Sequence, residues 1–269
     1  MTRFEAIVSV LRDIARAALA GLIVGVVVLG AGGRIVMRLA ALIDPSSAGR
    51  HTENGNRVGD ITLEGTAVLI IFGGLLVGAA AAVVWVAIQE WIPGRPALRA
   101  VLAMPIAVAL TGFQLVRPEN HDFRIMAPVG PILVLLLALI AIAGLAFALV
   151  DRWLDDRLPQ PSPRLAPSVV VYVLMILAGL PLFVLVVRMY LEPGFAVRNA
   201  PVGSGVAIFA VGLVTAAAWA VRIASRRRDP PRSLRMLGSG ALAVAVATGA
   251  WLLSGQVAQV VAVARAAGY

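Results

Sequence analysis

The chain has no cysteine, which excludes disulfides, thiolate nucleophiles, Fe-S clusters and Cys-based zinc sites. It has no lysine either, so all 23 basic residues are arginine. Without that amine there is no Schiff-base chemistry, and a retinal held covalently in a last helix is excluded. Such a wholly arginine complement points to a GC-rich, bacterial genome. Histidine occurs only at His51 and His121. Neither lies in an apolar run, which removes paired intramembrane imidazoles for haem and any Ser-His dyad within a span. Only 14% of residues are charged. The carboxylates Glu64, Glu90 and Asp151 fall at the ends of apolar runs, so the mid-bilayer acid usual in a proton-coupled carrier is missing. Ser204, Ser239 and Ser254 also lie near run ends, with no base beside them.

What is present is apolar. Hydrophobic residues make up 60% of 269, and the mean hydropathy of +0.93 exceeds what a single-core soluble domain needs. Windows of about 20 apolar residues predict an all-α, polytopic transmembrane bundle of seven spans, at 17-43, 65-91, 100-116, 127-150, 168-189, 204-222 and 237-257. The breaks carry turn chemistry, such as Asp44-Pro45-Ser46-Ser47, Pro93-Gly94-Arg95-Pro96 and Asp229-Pro230-Pro231. None is long enough for a second domain, so residues 1-269 form one integral membrane domain. The first apolar run exceeds the ~7–15 residues of a cleavable signal, and we expect it to remain as a transmembrane helix.

The net charge of +9 sits in short loops beside apolar runs, where it reports topology and not a nucleic-acid partner. With the N-terminus inside, fourteen arginines, among them Arg12, Arg16, Arg222 and the run Arg226-Arg227-Arg228, fall on the cytoplasmic side. Seven, including Arg50, Arg57, Arg124 and Arg198, fall outside. That bias predicts an N-inside, C-outside protein of the bacterial cytoplasmic membrane. Trp91 and Trp153 fit interfacial anchors. Arg124-Ile-Met-Ala-Pro128-Val-Gly130 and Arg198-Asn-Ala-Pro201-Val-Gly203 suggest a repeated helical hairpin. Gly21 and Gly25 in the first run, and Gly74, Gly78 and Ala82 in the second, have the small-xxx-small spacing of close helix packing.

Arg34 and Arg38 share one face near the outer end of the first run, where an intramembrane cation is costly. They are candidates for binding an anion or a lipid headgroup, with Asp60, Glu64 and Asp122 as charge partners. Gly30-Ala31-Gly32-Gly33 just before them could interrupt the helix or allow close packing. His51 and Glu53 in one outer loop, and His121 and Asp122 in another, could converge on a metal, but their spacing matches no known ligand motif and no cofactor is implied. The outer loops 44-64, 117-126 and 190-203 form the expected docking face. The reading is a non-enzymatic binding or assembly component that contacts membrane lipids and a protein partner at that face. The alternative is a transporter or channel for an anionic or amphiphilic solute, with Arg34 and Arg38 at its outer mouth.

Overall fold

The structure is a computed structural model that describes residues 2–52, 57–160, 166–191, 202–226 and 229–266. These residues are helical between short loops, with one isolated bridge between His51 and Arg57 and no strand. We number the long helices α1 (Arg3–Ile43), α2 (Leu63–Ile88), α3 (Pro96–Leu115), α4 (Val129–Arg157), α5 (Ala166–Leu191), α6 (Val202–Ser225) and α7 (Arg232–Ala266). Among the described residues, six are long and apolar enough to cross a membrane: α1 to α4, α6 through its stretch Gly205–Ser225, and α7. The protein is therefore a multi-pass helical membrane protein. A helix also occupies the remaining expected position, and its described apolar part runs over Val169–Pro181.

Most helices outrun the apolar windows that predicted them. The first was expected from residue 17, yet α1 starts at Arg3 because Thr2-Arg-Phe-Glu5 is a capping box. The Thr2 hydroxyl accepts from the Glu5 N–H at 3.1 Å and the Glu5 carboxylate accepts from the Thr2 N–H at 3.0 Å, so two of the orphan donors at the helix start are satisfied. At the far ends, α4 runs on to Arg157 and α7 to Ala266. Charged turns thereby project beyond the apolar core, where water and headgroups can solvate them.

The tightest crossing is α1 against α2. A β-carbon on Gly21 would lie 2.6 Å from both the Ala82 Cβ and the Gly78 carbonyl oxygen, while one on Gly25 would strike the Gly74 carbonyl and one on Gly78 the Gly21 carbonyl. The small-residue spacing in the sequence is thus an intramolecular seam, in which two backbones touch because no side chain separates them. Both helices widen to π geometry at this level, over Gly25–Ala31 and Leu69–Leu76. The Gly30 to Gly33 stretch does not break α1. It ends the π segment and packs against Ile70 and Leu69. The same logic repeats at Gly144, which faces the Ala103 carbonyl of α3, and at Gly249 of α7, which faces the Ala109 carbonyl.

Trp91 is not the interfacial anchor expected of it. It is 1% exposed, wedged against Gly238 of α7. Its indole N–H donates to the Thr215 hydroxyl of α6 at 2.8 Å, and that hydroxyl donates to the Ala87 carbonyl at 2.6 Å. The apolar bulk of the ring is what a three-helix junction needs, and its one donor finds a partner there. Thr215→Val should leave the buried indole N–H unpaired and cost about 1–3 kcal/mol, read as a lower melting temperature in detergent. Trp153, by contrast, is half-exposed, with the Arg157 guanidinium 4.6 Å above its ring, in keeping with an interfacial position.

Candidate functional site

The two ends of the bundle carry different chemistry. The run from Arg12 and Arg16 to Arg34 and Arg38 along α1 is 22 residues, or about 33 Å, roughly the thickness of a bilayer core.

At the end expected to face outward, loops are stitched to one another. Asp44 caps the turn Pro45–Ser47, accepting from the Ser46 hydroxyl at 2.6 Å and the Ser46 N–H at 3.1 Å, and it also accepts from the Ala127 N–H at 3.0 Å. Arg50 donates to the Ile125 carbonyl at 3.4 Å. Beneath these ties, Val58, Phe113, Val116, Phe123 and Met126 form a buried cluster. The hydrogen bonds from Ser46 and Ala127 hold the Asp44 carboxyl below the usual aspartate range. Because its folded pKa lies below its unfolded one, Asp44 stabilises the fold above about pH 4, and that contribution is lost as pH falls through the folded value. Asp44→Ala is expected to cost about 1–2 kcal/mol at neutral pH and to flatten the acid limb of a stability-against-pH curve measured by thermal unfolding.

Arg34 and Arg38 support this loop layer. Arg38 donates to the Gly59 carbonyl at 2.9 Å. Arg34 is only 5% exposed, its guanidinium lying against Gly65 at the start of α2, where the lack of a side chain makes room. It does not snorkel to the outer headgroups. Of the expected charge partners, Asp60 pairs with Arg57 at 3.4 Å, Glu64 lies in the first turn of α2, and Asp122 heads the short helix Asp122–Ile125. His51 and His121 sit on neighbouring, exposed loops, but among the described residues no three His, Asp or Glu side chains converge as metal ligands. Glu53, Arg198, Pro201, Arg227, Arg228 and loop positions 192-201 lie outside the described residues.

The opposite end holds the larger constellation, which the sequence reading treated only as topogenic charge and helix-end acids. Arg12 donates to the Asp155 carboxylate at 2.5 Å and to the Asp155 carbonyl at 2.6 Å. Arg16 binds Asp151 at 2.7 Å, Asp155 at 2.6 Å and the Gln89 side-chain oxygen at 3.0 Å. Arg222 bridges Asp13 and Glu90, each at 2.9 Å. One network thus ties the start of α1 to the ends of α2, α4 and α6. It encloses a cavity of about 720 Å³ whose wall also includes Trp85 and Trp219. Burial raises the Glu90 carboxyl above the usual glutamate range, against the opposing pull of Arg222. The signal was present in the sequence: Arg12 and Arg16 are four apart, as are Asp151 and Asp155, so each pair lies on one helix face. What the sequence could not supply is that the two faces meet.

In chemical terms, the loop layer at the Arg34 end offers a preformed surface and the opposite end a charged, partly enclosed cavity. The chain matches no family model, and no curated protein or solved structure matches it.

Proposed function

We propose that this is a non-enzymatic, seven-span component of a bacterial cytoplasmic membrane, contacting its lipids and docking a partner protein on its outer loops. The observation that carries the docking role is the cross-tied layer built by Asp44 to Ala127, Arg50 to Ile125 and Arg38 to Gly59. Loops held in one arrangement lose little conformational freedom on binding, which favours affinity. Support for the seventh crossing comes from connectivity. The ends of α4 and α6 both reach α1 at Arg16 and Asp13, so the chain between them must return to the other end. At 26 residues, α5 is about 39 Å long and sufficient for that passage. The arginine bias orients the network end toward the cytoplasm.

The alternative is a transporter or channel for an anionic or amphiphilic solute with Arg34 and Arg38 at its outer mouth, and the one observation that favours it is the open charged cavity at the opposite, network end. Native mass spectrometry of the protein drawn from its own membrane in mild detergent separates the two. A protein bound at fixed stoichiometry, and lost when Asp44→Ala loosens the layer, is the expected result. A bare chain that catalyses solute flux in proteoliposomes would replace docking with transport.

A further inference from the structure

Residues 222-235, where α6 ends and α7 begins, hold six arginines and a single acid, Asp229. Arg222 is engaged by Asp13 and Glu90 in the charged network. Arg232 and Arg235 instead line a separate, shallow cavity of about 490 Å³ with Pro230, Met236 and Ser239. Arg235 approaches Asp229 only to 3.9 Å, and their side chains are 58% and 87% exposed, so water screens that pair almost completely. Two guanidiniums against one loosely held carboxylate leave the cavity positive. The start of α7, with its positive dipole end, adds to that field.

The cavity opens onto an apolar trough. Met236 and Leu237 beside it are 68% and 58% exposed, on the surface of a helix long and apolar enough to cross a membrane. The Ser239 hydroxyl donates to the Trp91 carbonyl at 3.2 Å, which sets the cavity level with the end of α2. Along α7 the positions 236, 240, 243, 247 and 250 recur every three or four residues and so share one face. Past Met236 that face carries only Gly240, Ala243, Ala247 and Ala250, all exposed, and a β-carbon on Gly240 would meet nothing within 4 Å. Leu237, Val244 and Trp251, spaced by seven and likewise exposed, stand along one side as a ridge. A basic cavity at one end of a lipid-facing trough matches a ligand with an anionic head and an apolar chain.

We propose that the start of α7 holds one anionic phospholipid, its phosphate between Arg232 and Arg235 and an acyl chain in the trough along Gly240, Ala243 and Ala247. Planar guanidiniums suit a phosphate diester because each can donate two parallel hydrogen bonds to its oxygens. A zwitterionic headgroup would bring its own cation toward the same arginines and lose that advantage. The site is at the opposite end of the bundle from the loop layer and does not depend on what docks there.

The test uses the full chain in micelles holding phosphatidylglycerol, phosphatidylethanolamine and phosphatidylcholine in equal amounts, with native mass spectrometry counting the lipid retained. One equivalent of phosphatidylglycerol held about thirtyfold over either zwitterionic lipid is expected, from two charges at roughly fivefold each. Arg232→Gln combined with Arg235→Gln should bring the preference close to parity. Arg95→Gln combined with Arg152→Gln removes two exposed arginines from the same end of the bundle and should leave it unchanged. Gly240→Leu, placed where a β-carbon has open space, should obstruct the trough and weaken retention about tenfold, the equivalent of about two buried methylenes. Free glycerol 3-phosphate in excess, which has the anion without the chain, should not displace the lipid. Should one variant fail to melt like the wild type, the other decides. No preference for phosphatidylglycerol, an equal loss in the Arg95 and Arg152 control, displacement by glycerol 3-phosphate, or unchanged retention in a variant with wild-type melting would each overturn the proposal.

Discussion

Leucine in place of Gly25 should prevent the bundle from assembling. At this position even a methyl group would strike the Gly74 carbonyl, and a β-carbon on the neighbouring Gly21 would lie only 2.6 Å from the Ala82 Cβ, so there is no slack along the seam. Relief by side-chain rotation is unavailable because the obstructing atoms are backbone. The helices must instead separate, which opens the Gly78 contacts as well and detaches α1 from the helix it packs on most closely. Overpacking of an ordinary core costs about 1–3 kcal/mol. Here the whole interface is displaced, so the loss should exceed that range and appear as aggregation or absence of a monodisperse peak on fluorescence-detected size exclusion. Gly130→Leu is the control, since a β-carbon there meets nothing within 4 Å, and it should elute like the wild type. A Gly25→Leu protein that elutes and melts normally would mean the seam is not where α1 and α2 meet.

The second large effect is expected at Arg16. Its guanidinium is the hub of the charged network, engaging Asp151, Asp155 and Gln89 at once. The Arg16 and Asp151 side chains are each 13% exposed, so removing the cation strands a carboxylate with little access to water. Breaking one partner of a buried pair costs about 3–5 kcal/mol. The lower end applies, because Asp155 is 45% exposed and water can take over part of its solvation. Arg16→Leu should therefore lower stability by about 3 kcal/mol. Arg152→Gln, at an exposed position on the same cavity wall, should change it by less than about 0.5 kcal/mol. A double-mutant cycle with Asp151→Asn provides the sharper measure, as the two losses should be far from additive. Additive losses would show that the two side chains do not share an energetic unit in the membrane.

The difference between these two sites lies in how legible each was. Gly21, Gly25, Gly74 and Gly78 announce themselves by spacing alone, because a four-residue repeat of small side chains on an apolar helix has few uses besides close approach. The charged network did not. Arg12, Arg16, Glu90 and Asp151 each look like ordinary helix-end charges, and one-dimensional spacing carries no information about which helix ends adjoin. Trp91 failed for a related reason: an aromatic residue at a helix end suits both a headgroup anchor and a buried junction, and only the Thr215 hydroxyl across the interface selects the second. Arg34 and Arg38 were found as a pair on one face, but their engagement with Gly59 and the start of α2 depends on a loop returning over them.

The sequence by itself determined the solvent, the helical class and which faces of the first two spans are shaped for close packing, though not that they pack on each other. Apolar runs of bilayer length leave the backbone no option but to satisfy its hydrogen bonds within each helix, and glycine spacing is read along a single helix. The tertiary structure alone decided which charges meet. Neutralising a guanidinium depends on distances of 2.5 to 2.9 Å between helices far apart in the chain, and those distances are fixed by packing, not by the order of residues along any one helix.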